Sequence, residues 1–129
     1  MQSFNQFLQI GQQFAKIYYD KMTQGVNQAF GLFNPNVLST IESEDCSGAY
    51  NWLIKMTNAG IYRFDYCNIN GTCQPLQNSD ILVNIQGKFK SYNFYGSSSN
   101  WLQFNETFIL GRTGDNYAIK NHIFKQINQ

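Results

Sequence analysis

The fold class is decided by one stretch near the start of the chain, FNQFLQIGQQFAKIYYDKM, residues 4–22. Its apolar side chains recur every three or four residues, while amides and charges fill the other positions. That spacing predicts an amphipathic helix of about twenty residues, roughly 30 Å long at ~1.5 Å rise per residue. Ser3 and Gln6 fit a capping box at its start, and Gly25 is placed to end it with a left-handed cap. A helix of this length needs a broad apolar surface to pack against.

The later part of the chain predicts a sheet that supplies this surface. Segments rich in β-branched and aromatic residues cover residues 61–69, 81–91, 101–111 and 116–127. The second alternates most clearly, with Ile81, Val83 and Ile85 on one face and polar residues on the other. Alternation of this kind indicates strands with one buried face.

Shorter segments complete the predicted order of elements. A helical stretch over residues 26–33 stops at Asn34-Pro35, because the residue before a proline disfavours the helical region. Residues 37–42 then predict a strand, and a second amphipathic helix starts at Ser47-Gly48 and ends at Gly60. Helices followed by consecutive strands predict an α+β fold, with an antiparallel sheet and its helices on one side.

The connections are predicted from glycine, asparagine and serine. Residues 113–116, Thr-Gly-Asp-Asn, indicate a tight hairpin, and residues 96–100, Gly-Ser-Ser-Ser-Asn, indicate a longer flexible tip. Asn70-Gly71 leaves an ambiguity, because this pair is a strong hairpin signal at a point where a strand could otherwise continue to Pro75.

Composition limits the class of protein. The 129 residues carry nine basic and eight acidic side chains, a formal net charge of +1. This length predicts one domain, residues 1–129, and the balanced charge argues against a nucleic-acid partner. No apolar run is long enough for a membrane span or a signal peptide, so no membrane insertion is expected. The three cysteines have no zinc-ligand spacing, so we expect reduced thiols and no metal or cofactor.

Short fragments carry a resemblance along almost the whole chain. They are Ile10-Gly11-x-x-Phe14-x-x-x-Tyr18-Tyr19, Glu42 with Gly48, Gln74-Pro75, Ile81-Leu82-Val83 with Gly87, Phe104-x-Glu106-x-Phe108 and Asn121-x-Ile123-Phe124-Lys125. From about residue 4 to about residue 127, their order and separations resemble the nuclear transport factor 2 family.

The resemblance implies a cone-shaped α+β fold and a transport function. One long and two shorter α-helices would pack on a strongly curved antiparallel β-sheet that opens at one end into an apolar cavity. The family forms homodimers through the outer sheet face. Its transport members bind the GDP form of the small GTPase Ran and the phenylalanine-glycine repeats of nucleoporins. They carry Ran between cytoplasm and nucleus through the pore of the nuclear envelope, without catalysis.

The same resemblance assigns binding residues. In the family, an aromatic side chain of Ran enters the cavity while basic residues of Ran pair with an acidic rim, which here corresponds to Glu42, with Glu44 and Asp45 beside it. The positions that match the cavity wall are Ile41, Ala59, Phe64 and Ile123, with Tyr66 where the family often has histidine. Phe7, with Phe4 near it, matches the nucleoporin-binding surface.

The chain departs from the family pattern at three places. Tyr92 and Phe94 occupy the positions of a second acidic pair, so part of the charge complementarity to Ran is missing. The loop that follows them is longer than in the family. His122 stands where an aspartate is usual.

Each of these residues also has a structural interpretation. The acidic stretch 42–45 is equally a solvated turn, and Phe7 lies on the apolar stripe of its helix. Glu106 falls on an apolar strand face, where a carboxylate must find a partner or take up a proton. A structural acid bonded to the backbone or to a tyrosine is the simplest interpretation of Glu106. Strand alternation groups His122 with Ala118, Lys120 and Phe124, as a packing residue.

Three other functions remain open from the sequence. Enzymes of the isomerase or dehydratase type share this cone fold, and Asp65, Tyr66, Glu106 and His122 are the titratable groups available to such an enzyme. A related domain can instead serve as one subunit of a heterodimer in messenger RNA export. Lys88 and Lys90, next to several aromatic residues, make a small patch of the kind that binds single-stranded nucleic acid.

Overall fold

A computed structural model describes residues 4–127. The helices are α1 (Phe4–Gln24) and α2 (Ala49–Asn58), with short 3-10 helices at Val26–Leu32 and Gln77–Ser79. The strands are β1 (Phe33–Ile41), β2 (Glu44–Ser47), β3 (Arg63–Pro75), β4 (Ile81–Tyr92), β5 (Leu102–Thr113) and β6 (Asn116–Ile127). The predicted Ser3 cap lies outside the described residues. No helix within residues 4–127 is both long enough and apolar enough to cross a membrane.

The six strands form one sheet in the order β2-β1-β6-β5-β4-β3. The α+β class, the curved sheet and the arrangement of one long and two shorter helices are confirmed. The sheet is mixed, however, because β1 pairs with β6 in parallel. A hairpin imposes antiparallel pairing only on strands that are adjacent in sequence, and β1 and β6 are separated by most of the chain.

The acidic segment after β1 contains the turn that the sequence allowed, but the returning strand β2 was not predicted. Glu42 and Ser43 have φ values of 51° and 73°, and β2 returns antiparallel to β1 with Ile41 opposite Glu44. Positive φ at both central residues is typical of a tight two-residue hairpin turn. Its usual signal is Asn-Gly or Asp-Gly, and Glu-Ser carries neither.

The Asn70-Gly71 pair does not form a turn, because β3 continues through it to Pro75. The register with β4 shifts between Cys67 and Asn70, and beyond the shift Gly71 lies opposite Ile85. Pairing with β4 along the whole strand outweighs the local turn preference. The glycine is needed for another reason, since a Cβ there would lie 2.4 Å from Ile85 Cδ1 and 2.6 Å from the Asn84 carbonyl oxygen.

Helix α1 lies across the concave face of the sheet. Its buried residues are Gly11, Ala15, Tyr18, Tyr19 and Met22. They meet an apolar core that includes Val83 and Phe108. The helix ends at Gln24, and Gly25 follows with φ 158° and ψ 142° instead of the predicted left-handed cap. Burying each large apolar side chain stabilises the fold by about 1.5–3 kcal/mol, so this face fixes the helix on the sheet.

Replacement of Gly71 by alanine tests the close approach of β3 to β4. We expect Gly71→Ala to lower the free energy of unfolding by about 1–3 kcal/mol, because the Asn84 backbone must move to admit the methyl group. A Cβ added at Gly31 would meet no other atom within 4 Å, so Gly31→Ala is the matched control. Urea unfolding should show a lower midpoint with unchanged slope for Gly71→Ala alone. Equal midpoints for the two variants would contradict this account of Gly71.

Candidate functional site

A cavity of about 210 Å³ opens between the helices and the concave face of the sheet. Its apolar lining consists of Met22, Met56, Ile61, Phe64, Phe89, Leu102 and Phe124. Tyr18, Glu106 and His122 contribute the fully buried polar groups, and exposed Glu42 lies at the open end. The site is therefore an aromatic pocket with polar groups at its inner end and a carboxylate at its rim.

A bulge in β6 turns His122 into the cavity. Leu110 of β5 pairs with Ile119, whereas the preceding Ile109 pairs with Asn121, so Lys120 is an extra residue in the strand. Lys120 points to solvent, and His122 is buried on the same face as Ile119. The predicted grouping of His122 with Lys120 is wrong, because strict alternation does not continue across a bulge.

The carboxylate of Glu106 is 2% exposed and is held by three side chains. The Tyr19 hydroxyl donates to Oε1 over 2.9 Å and the Tyr18 hydroxyl donates to Oε2 over 3.2 Å. His122 Nε2 lies 2.6 Å from Oε2, and Ser39 Oγ lies 2.7 Å from His122 Nδ1. Since an ionised carboxylate only accepts, Nε2 carries the proton in its contact with Glu106. These bonds offset the cost of burying the carboxylate.

The tyrosines near Glu106 are held in the neutral form. Burial, and after it the negative charge of Glu106, raises the pKa of Tyr18, Tyr19 and Tyr66 well above the ordinary tyrosine value. Tyr18 and Tyr19 use their protons to bond Glu106. The Tyr66 hydroxyl has no hydrogen-bond partner within residues 4–127, although Tyr66 lines the cavity.

Of the predicted acidic residues, Glu42 lies at the cavity rim. Its backbone N–H donates to the Phe124 carbonyl oxygen over 3.0 Å, and its side-chain Oε1 accepts the backbone N–H of Gln126. Glu44 and Asp45 lie instead along a groove between β2 and α2. Glu42 is therefore the one of these three acids that is placed at the cavity.

Glu44 and Asp45 are each engaged by a neighbouring side chain. Glu44 forms a hydrogen-bonded ion pair with Lys55, which lowers the pKa of Glu44. The Thr40 hydroxyl donates to Asp45 Oδ1 over 2.8 Å. Both carboxylates are exposed, so their charges act on a partner through solvent.

The predicted wall residues divide into two groups. Phe64 and Tyr66 line the cavity. Ile41, Ala59 and Ile123 do not line it, so their placement in the wall is wrong. Ile123 is half-exposed on the outer face because alternation turns its neighbours inward, and Ala59 follows α2 in an exposed position.

Ile41 packs at the margin of the core and precedes Glu42 of the cavity rim in the chain. The apolar wall residues that the sequence analysis did not assign are Met22, Met56, Ile61, Phe89, Leu102 and Phe124. For Phe89 and Leu102 the alternation of apolar residues along β4 and β5 was the available signal.

Tyr92 and Phe94, at the positions of the family's acidic pair, form an aromatic surface. Tyr92 donates to Asp65 Oδ2 over 2.8 Å, and the Arg63 guanidinium lies 3.9 Å from the centre of the Tyr92 ring. Phe94 is exposed and packs against Tyr62, with ring centres 5.5 Å apart. No carboxylate replaces the missing pair at these two positions.

The loop after Tyr92, which includes the tip predicted at residues 96–100, makes several hydrogen bonds within itself and to β4. Asn93 Oδ1 accepts the backbone N–H groups of Tyr95 and Ser97 over 2.9 and 3.0 Å. The backbone N–H of Ser99 donates to the Ser91 carbonyl oxygen over 2.9 Å. Ser91 also lines the cavity, so this loop borders the cavity mouth.

The two predicted nucleoporin-binding residues lie at the start of α1. Phe4 is 58% exposed, and Phe7 is partly buried against the core. The start of α1 therefore presents a small apolar surface with one exposed ring, that of Phe4. Within the described part of the chain, no group of three or more His, Cys, Asp or Glu side chains is placed to hold a metal ion.

Comparison with known proteins agrees with this geometry. The family model of the Nuclear transport factor 2 (NTF2) domain matches residues 10–126. Nuclear transport factor 2 of Kluyveromyces lactis is 25% identical over 120 residues, which cover 92% of this chain and 93% of that protein. The structure of nuclear transport factor 2 from Cryptosporidium parvum has a TM-score of 0.77 at 25% identity, covering 98% of this chain and 99% of that chain.

An enzyme-like structure shares the fold at much lower identity. A protein of Novosphingobium aromaticivorans, provisionally named a scytalone dehydratase, has a TM-score of 0.74 at 9% identity. The match covers 93% of this chain and 83% of that one. At this identity the likeness concerns the fold alone.

The buried tyrosines predict a pH dependence. Free tyrosine ionises near pH 10, so above that pH the unfolded chain loses protons that Tyr18, Tyr19 and Tyr66 retain in the folded protein. Stability should therefore be complete below about pH 10 and fall as the pH rises further. Phenolate absorbance during a pH titration should show late ionisation of these three among the eight tyrosines.

Two tyrosine variants provide the control for this titration. Tyr66→Phe should remove one of the late-ionising groups. Tyr50→Phe replaces a ring that is 64% exposed, and it should leave the titration of Tyr18, Tyr19 and Tyr66 unchanged. Ionisation of all tyrosines together near pH 10, with the protein still folded, would contradict the arrangement around Glu106.

Proposed function

The chain belongs to the nuclear transport factor 2 family, and from this premise we propose that it binds the GDP form of the small GTPase Ran and carries it into the nucleus. Phenylalanine-glycine repeats of nucleoporins bind at a second surface and move the complex through the pore. In this proposal the protein acts in cytoplasm, nucleus and pore, and it works by binding alone, without catalysis.

The cavity is the observation that carries the proposal. A cavity of ~150 Å³ lined by apolar side chains is enough to hold benzene, so about 210 Å³ can admit one aromatic side chain. Phe64, Phe89 and Phe124 surround that space with rings, and aromatic pairs contribute about 0.5–1.5 kcal/mol beyond their buried area. An aromatic anchor in a desolvated pocket is typical of the residues that dominate an interface.

Glu42 supplies the charge beside the anchor. Its side chain accepts a backbone N–H at the rim, which holds the carboxylate beside the entrance while it stays exposed. A basic residue of Ran next to the inserted ring would meet it there. Glu44 and Asp45 add negative potential from the adjacent groove, which affects the rate of encounter more than affinity. Ile41 and Ala59 belong to the proposed footprint outside the pocket, whereas Ile123 lies on the outer sheet face.

The rings near the mouth can replace part of the missing acidic pair. An exposed cation over an aromatic ring gains about 0.5–1 kcal/mol, and an exposed salt bridge gains about 0–1 kcal/mol. Phe94 and Tyr95 are exposed, so basic residues of Ran can stack on them at similar energy. Binding should then depend less on salt than it would with two more carboxylates.

The nucleoporin site and the dimer rest on exposed apolar side chains. Phe4 and Phe7 at the start of α1 offer a shallow contact, which suits the many weak contacts of a repeated, disordered partner. On the outer sheet face, Leu38, Ile123 and Ile127 are 42–58% exposed, which supports a homodimer formed through that face.

Retention of Ran on the immobilised protein tests the proposal. We expect GDP-loaded Ran to be retained and GTP-loaded Ran to pass. Glu42→Lys should lower retention at least about tenfold, because it places like charges opposite each other. Asp115→Lys adds the same charge in the exposed β5–β6 turn and is the matched control. Equal retention of both nucleotide forms, or equal losses in the two variants, would contradict the proposal.

A second candidate function is an enzyme of the isomerase or dehydratase type. Two titratable groups, Glu106 and His122, meet within 2.6 Å at the inner end of the cavity, as proton-transfer chemistry requires. Glu106 already accepts hydrogen bonds from Tyr18, Tyr19 and His122, which leaves few of its acceptor positions for a substrate proton and favours the binding function. Asp65 cannot take part at this site, because it lies on the outer face with Arg63 and Tyr92.

Proton exchange tests the enzymatic candidate. An enzyme of this type should exchange the α-protons of aryl ketones for solvent deuterium, followed by nuclear magnetic resonance. Glu106→Gln should then slow the exchange at least about 100-fold, while Asp65→Asn should keep it unchanged. Exchange no faster than in buffer would remove this candidate.

A further inference from the structure

The inner end of the cavity has one unused acceptor and one unused donor. An ionised carboxylate has about four acceptor positions, and Tyr18, Tyr19 and His122 occupy three of those on Glu106. The Tyr66 hydroxyl has no partner within residues 4–127, and the Tyr66 ring packs against Tyr19, a donor to Glu106, with ring centres 4.6 Å apart. Both groups line the same cavity.

We propose that this cavity selects an aromatic ring that carries a hydroxyl group, a phenol, over an unsubstituted ring. The inference rests on the proposed function in that it takes the cavity as the binding site for an aromatic guest. A phenol donates its proton to the free position on Glu106 and accepts a hydrogen bond from Tyr66. Its ring fills the space between Phe64, Phe89 and Phe124.

The preference follows from the polar groups that each guest leaves without a hydrogen-bond partner. A plain ring covers both polar groups without bonding them, and a buried polar group without a partner carries a desolvation cost. A site that hydrogen-bonds a hydroxyl therefore discriminates strongly against the analogue that lacks it. A water molecule can make the same two bonds, but it leaves the apolar space unfilled. Of a plain ring, a water molecule and a phenol, only the phenol bonds both polar groups and also fills the space between the apolar walls.

The test compares p-cresol, the side-chain analogue of tyrosine, with toluene, the side-chain analogue of phenylalanine. Calorimetric titration of the full chain should give p-cresol an affinity at least about tenfold higher than toluene. In Tyr66→Phe the ratio should fall several-fold, with toluene binding retained. Tyr50→Phe removes an exposed hydroxyl outside the cavity and should leave the ratio unchanged.

A second arm separates a small phenol from a tyrosine side chain of a protein. Short peptides with a central tyrosine or phenylalanine flanked by lysines should bind with the same preference for tyrosine. Glu42→Gln should weaken both peptides and leave p-cresol unaffected, because only the peptides carry a cation to the rim. A peptide preference without p-cresol binding would still assign the site to a protein side chain.

The outcomes distinguish this inference from the function on which it rests. Toluene binding as tightly as p-cresol in the wild-type protein, with the phenylalanine peptide equal to the tyrosine peptide, would overturn the phenol preference and leave the aromatic pocket intact. Absence of binding by both small molecules and both peptides would overturn the aromatic pocket as well. The wild-type ratios decide the inference even if Tyr66→Phe does not fold.

Discussion

Burial of the Glu106 carboxylate is the constraint on which the rest of the structure depends. A carboxylate on the apolar face of β5 requires donors, and α1 supplies two of them through Tyr18 and Tyr19. His122 of β6 supplies the third and is itself joined to Ser39 of β1. The network therefore ties the long helix to three strands. Removal of one member would leave a buried charge without full compensation, which is costly.

The cavity lies beside this network, between α1 and the sheet. Aromatic side chains such as Phe64 and Phe124 line the space beside the network without filling it. The cavity consequently has a polar inner end, apolar walls and a charged rim at Glu42. This order suits a guest that enters with its ring first and keeps its charged neighbours at the surface. Binding and chemistry would use the same opening, and the three hydrogen bonds already made to Glu106 favour binding.

Local patterns predicted most of the elements and failed where pairing between distant segments decided the conformation. The spacing of α1 and the alternation of β4 and β5 identified those elements almost to their ends. Asn70-Gly71 indicated a turn, but pairing with β4 keeps it in a strand. The bulge at Lys120 likewise depends on the register with β5. Ile123 and Ala59 show the same limit, because correspondence with family positions does not state which way a side chain points.

The sequence by itself determined the long helix, the long strands β3 to β6, the family and the acidic residue at the rim, because each depends on a short pattern or on matched residue types. Only the tertiary structure decided which groups bond Glu106. Tyr18 and Tyr19 stand 88 and 87 positions before it, and no local spacing relates them. The structure likewise decided that aromatic residues enclose a space instead of filling it, because packing is set by all the elements together.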